Sequence, residues 1–67
     1  MNFIKLTVSG NPVMVNMDLV TDLWPAGPAS QHPGGTVICF SFLDTDGDQY
    51  SMAVEESFAE AEKLISG

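Results

Sequence analysis

The sequence predicts a small, mainly β domain of five short strands with a single C-terminal α-helix. Three observations point there. Apolar residues recur at a period of two in several short runs, beginning with Phe3-Ile4-Lys5-Leu6-Thr7-Val8. Glycine, proline, asparagine and aspartate cluster between those runs, where a chain must turn. Helical spacing appears only at the end, from about residue 55.

Each element has its own reason. In residues 3–8, Ile4, Leu6 and Val8 alternate with Phe3, Lys5 and Thr7, which gives a first strand with one apolar face. Ser9-Gly10-Asn11-Pro12 reads as a turn, because glycine and asparagine tolerate positive φ and proline fixes its own. Val13, Met14 and Val15 form a second short strand, and Asn16-Met17-Asp18 breaks it. Residues 19–24 form a third strand, stopped by Pro25, which holds Trp24 extended.

Residues 25–35 hold three prolines and three glycines in eleven positions and read as a long loop, of the kind that is mobile or functional. Residues 36–43 are the strongest strand. Ile38, Phe40 and Phe42 share one face, while Val37, Cys39 and Leu43 take the other with only Ser41 polar. A strand apolar on both sides is expected to be buried on both, under the helix and a neighbouring subunit. Asp44-Thr45-Asp46-Gly47-Asp48 is a hairpin turn leading to a fifth strand, with Tyr50, Met52 and Val54 on one side. The helix runs from about 55 or 57 to 65. Ser57 with Glu60 makes a capping box; Phe58, Ala61, Leu64 and Ile65 face inward, and Glu56, Glu60 and Lys63 face solvent.

Composition bounds the function. A chain of 67 residues is one domain, 1–67, and at 45% hydrophobic it is too apolar for disorder. At this length it buries only about 60% of its unfolded surface. The single cysteine excludes an internal disulfide and a cysteine-ligated zinc. A chain without such staples gains stability by burying surface against copies of itself. Nine acids against two lysines give a net charge of −7, a poor balance for gripping phosphates, and seven of the nine acids fall in residues 44–62. No signal peptide or membrane helix is expected, which suggests a cytoplasmic protein.

The chemistry-bearing residues are few. Asp44, Asp46, Asp48 and Glu55 fall on the first, third, fifth and twelfth places of an EF-hand register. Gln49 stands where the loop requires glycine, so a solvated hairpin turn is expected instead. His32, the only histidine, lies in the loop with no carboxylate or nucleophile beside it and reads as an exposed loop residue. Cys39 lies mid-strand with no cationic neighbour and reads as a packed thiol. There is no phosphate loop, nucleophile elbow or metal-ligand cluster, so neither catalysis nor a cofactor is expected. Trp24 reads as a core or subunit-interface residue, or as a platform on which a base stacks. If nucleic acid is bound, the surface away from the acids must bind it, through Lys5, Asn11, Asn16, Trp24, Gln31 and His32.

The order FIKLT, NPVMVNMDLV, the long loop, GTVICFSF, DGDQYSMAV and ESFAEAEKLI resembles small Sm-like proteins of marine and cyanophage origin. The likeness spans nearly the whole chain and rests on arrangement more than on diagnostic motifs. It implies a strongly bent five-stranded barrel that pairs edge to edge into a homo-oligomeric ring, a pentamer, with a part in RNA or DNA processing. It also implies a phage gene and hence the host cytoplasm. The chain departs from the Sm pattern in two respects. Asn16 and Asp18 lie near the expected Asp/Asn place, but Asp46-Gly47 stands where Arg-Gly would hold a base, and the helix comes last instead of first. The readings that result are an Sm-like ring acting on single-stranded RNA or DNA and, as the alternative, an acidic protein-protein adaptor or regulatory subunit.

Overall fold

A computed structural model describes residues 2–66. Strand β1, Phe3–Val8, pairs antiparallel with β2, Asn11–Asn16, placing Ile4 opposite Val15 and Leu6 opposite Val13. Only Ser9 and Gly10 turn the chain, at φ of 50° and 82°. That positive-φ pair has the twist a two-residue hairpin needs. The turn is thus shorter than the four residues expected, and Asn11 and Pro12 already belong to β2. Pro12 is tolerated because β2 pairs on one side only, so its missing N–H need not break the ladder.

Asn16 then caps a single 3-10 turn, Met17–Leu19, its side-chain oxygen accepting the Asp18 N–H at 3.0 Å. The turn removes Leu19 from the expected third strand. Strands β3 (Val20–Pro25), β4 (Thr36–Leu43) and β5 (Gln49–Val54) form an antiparallel meander with β4 in the centre. A bulge between Val20 and Asp22 lets Val20 lie opposite Phe40 on the same side as Leu23 and Ile38.

The loop at 25–35 is a chain of tight turns joined at its neck. The Ala26 N–H donates to the Gly35 carbonyl at 3.0 Å, the Ser30 N–H to Gly27 at 3.0 Å, and the Gly35 N–H to His32 at 2.9 Å. Gly35 is required by space: a Cβ there would lie 2.0 Å from the Val54 carbonyl oxygen.

Leu6, Val15, Ile38, Phe40 and Val54 meet between the two sheets as one buried cluster. Helix α1, Phe58–Ser66, packs chiefly against β1 and β3. Its start matches the capping box, with the Glu60 N–H on Ser57 Oγ and the Ser57 N–H on Glu60 Oε1, both at 3.2 Å. Of its expected inner face only Ala61 is fully buried, while Phe58 and Leu64 remain 38% and 48% exposed.

Glu56 departs from expectation. It precedes the helix, is half-buried, and accepts the Thr7 N–H at 2.9 Å and the Thr7 hydroxyl at 2.8 Å. Beside it the Glu55 N–H donates to the Thr7 carbonyl at 2.8 Å, and the Glu55 carboxylate accepts the Gly10 N–H at 2.6 Å. Two acids that read as part of a solvated helix instead join the β1–β2 hairpin to the C-terminal segment.

The ladders form two sheets, β1–β2 and β3–β4–β5. The two-faced strand β4 is also only partly covered. Ile38 and Phe40 are buried, Val37 and Cys39 on the opposite face are half-buried, and Phe42 and Leu43 are exposed. The helix does not provide the second cover expected for β4, because it lies chiefly on β1 and β3.

Candidate functional site

The outer face of the three-stranded sheet holds the largest exposed aromatic side chain. Register places Trp24 opposite Val37 and Val37 opposite Ala53, and in the next row Asp22 opposite Cys39 and Cys39 opposite Ser51. Side chains alternate across a sheet, so these two rows point away from the Leu23, Ile38 and Met52 row that faces the core. Trp24 is 59% exposed.

The ring is held in place. Its Nε1–H donates to the Asp22 carboxylate, which also accepts the Thr21 hydroxyl at 2.5 Å. The Thr21 bond first and the Trp24 bond second hold the Asp22 carboxyl below its ordinary value, so the group is ionised at neutral pH. In the same row, burial and then the Asp22 charge push the Cys39 thiol up. Cys39 therefore lies half-buried on this outer face, not in the core, and is held in its protonated, unreactive form.

The other candidate residues do not converge on Trp24. Lys5 lies opposite Met14, and Asn16 opposite Phe3, on the outer face of the β1–β2 hairpin, where Met14 is 60% exposed. Asn11 sits at the hairpin turn, its side-chain amide donating to the Ser9 carbonyl at 3.5 Å. Gln31 is exposed in the loop, whereas His32 is half-buried. The His32 N–H donates to Ser30 Oγ at 3.3 Å, while its enclosed Nε2 has no hydrogen-bond partner among the described residues. The expected freely exposed histidine is thus turned inward by the loop's tight turns. Lys5 and Asn16 share one sheet face, Trp24 lies on the other sheet, and Gln31 and His32 belong to the loop that follows it.

At the acidic turn the Asp44 carboxylate accepts the backbone N–H groups of Asp46 at 2.9 Å and Asp48 at 3.1 Å, while Glu55 points to Gly10. Hydrogen bonds of this kind make an Asx turn. Among the described residues no three or more His, Cys, Asp or Glu side chains gather where they could hold a metal ion. Also among them, no helix is long and apolar enough to cross a membrane.

Sequence reasoning missed two features. The Thr7–Glu56 clamp spans 49 positions, and no local pattern signals it. The Phe40, Phe42 and Tyr50 rings, 5.2–5.4 Å apart by centroid, were signalled in part: the alternation in each strand put them on like-facing positions.

No protein-family model matches the chain, and neither a curated protein nor a solved structure is significantly similar to it. The arguments for function therefore rest on the residues and their placement.

Proposed function

We propose that this chain is a non-catalytic assembly module that acts by associating with copies of itself, in the manner of the Sm-like rings it resembles. On this reading the two sheets are the halves of a small bent barrel. They are bridged where Glu55 and Glu56, just after β5, meet Thr7 of β1. The observation that carries the reading is the outer face of β3–β4–β5, where Trp24 stands exposed beside half-buried Val37, Cys39 and Ala53. An exposed aromatic ring beside apolar neighbours, rimmed by polar Asp22 and Ser51, is the composition expected of an interaction surface.

Two further features support it. β2 and β3 each pair on one side only, and free strand edges are removed when subunits add to them. Among the described residues the buried apolar core holds six, Leu6, Val15, Ile38, Phe40, Val54 and Ala61. A standard contact of about 800 Å² per partner would take close to a fifth of the 4379 Å² surface, a large gain for a core that thin.

The nucleic-acid role implied by the resemblance has less support. The Asp22 charge beside the indole repels phosphate, and Lys5 lies on the other sheet. Sedimentation across a range of concentrations tests the proposal. The wild type is expected to run as a closed oligomer, and Ala53→Arg, which puts a charge on the outer face, as a folded monomer. Trp24, the only tryptophan, should shift its emission to the red on dissociation. A wild type that stays monomeric at high concentration would remove the proposal. A gel shift with single-stranded RNA or DNA at moderate salt would restore nucleic acid as the ligand.

A further inference from the structure

A second opening, separate from the Trp24 face, lies between α1 and β3. It is a groove of about 240 Å³ lined by Leu23, Phe58, Glu62, Ile65 and Ser66. It exists because Ala61 is the only helix residue buried in the core, so the larger Phe58 and Ile65 stand at the groove wall and leave it unfilled. Its volume falls below the roughly 300–1,000 Å³ of sites that enclose a whole small molecule. It is better matched to one anchoring side chain.

Charge selects the occupant. Ser66 Oγ bonds the Glu62 backbone carbonyl at 2.9 Å, and the exposed Glu62 side chain carries its charge at the groove. Seven of the nine acids fall in residues 44–62, so this helix and turn form the acidic side of the chain; the same side of a second copy would be repelled here, while a cationic segment would be attracted. We infer that the groove docks a basic amphipathic segment of a partner protein, with an apolar side chain seated against Phe58 and Ile65 and a lysine or arginine over Glu62. This is recognition of an amphipathic segment by a small apolar groove, and it does not depend on the self-assembly proposed above.

The test is titration of isotope-labelled protein with a synthetic peptide of leucine and lysine at amphipathic helical spacing, followed by amide chemical shifts. The expected result is saturable shifts at Leu23 and along residues 58–66. Binding should be lost when glutamate replaces the peptide's lysines or serine replaces its leucines. Glu62→Gln, at an exposed position that leaves the fold intact, should weaken binding about two- to fivefold, as one surface ion pair does. Asp46→Asn removes the same charge from the distant turn and should change little. The inference is overturned if the peptide does not bind, if its shifts lie elsewhere, or if the serine peptide binds equally well. Equal weakening by Asp46→Asn and Glu62→Gln would also overturn it, since that is general attraction to an acidic protein. So would groove shifts that grow with protein concentration alone, which would assign the groove to a second copy.

Discussion

The β1–β2 hairpin and the β3–β4–β5 sheet are built from strands of similar length but treat their outer faces differently. In the hairpin, Leu6 and Val15 point into the core, while Lys5, Thr7 and Asn16 share the outer face with exposed Phe3 and Met14. In the larger sheet both faces are apolar at the centre, and only the Ile38 and Phe40 face is fully buried. The hairpin's outer face thus intersperses its exposed Phe3 and Met14 with polar side chains, whereas the sheet gathers Trp24, Val37, Cys39 and Ala53 on one face that is only half-buried. A small domain can therefore place its few buried residues on one side of its best strand and leave the other half-buried.

The largest effect tests the covered face. Phe40→Asp places an unpaired charge at a position 5% exposed and should abolish folding, with collapse of amide shift dispersion. A soluble, cooperatively unfolding variant would show that β4 faces the other way and would reverse the comparison.

The next tests the rim of the larger sheet. Gly35→Ala drives a Cβ to within 2.0 Å of the Val54 carbonyl oxygen and should cost roughly 3 kcal/mol or more in urea unfolding. Gly27→Ala, in the same loop with no atom within 4 Å of its Cβ, should stay within about 0.5 kcal/mol of the wild type. Equal costs would mean that the loop, not the close approach to β5, sets the result.

The smallest tests the seam between the two regions. Thr7→Val removes the hydroxyl bond to Glu56 and should cost about 1–2 kcal/mol at neutral pH. Burial raises the Glu56 carboxyl, but the Thr7 N–H and hydroxyl bonds outweigh it and hold it below the ordinary 4.5. A depressed folded-state value stabilises the protein above 4.5, and that stability is lost as pH falls through the lowered value. Urea midpoints from pH 7 to pH 3 should therefore show the wild type losing more stability than Thr7→Val. Parallel curves would place the acid-sensitive contact elsewhere.

Much of the fold was legible because it is local. Alternation in residues 3–8 and 36–40 sets the faces, and Ser57 with Glu60 marks the helix start within four residues. The boundaries that moved did so for equally local reasons. Ser9 accepted positive φ, which shortened the first turn, and Asn16 capped a 3-10 turn, which took Leu19 out of β3. The candidate site was less legible. Trp24 was singled out, but Asp22 orienting it and Cys39 lying in the adjoining row depend on cross-strand register and a bulge. Lys5, Asn11, Asn16, Gln31 and His32 were grouped by lying away from the acids, and charge distribution along a chain does not bring residues together in space.

The sequence by itself determined the element order, the apolar faces of the strands and the capped helix, because those follow from backbone period and side-chain chemistry within a few residues. Only the tertiary structure decided that the strands divide into two sheets, that Glu56 joins the hairpin to the C-terminal segment through Thr7, and that the outer face of β4 stays only half-buried. Those outcomes depend on which distant surfaces compete for the same few buried positions. That competition is settled only when the whole chain packs at once.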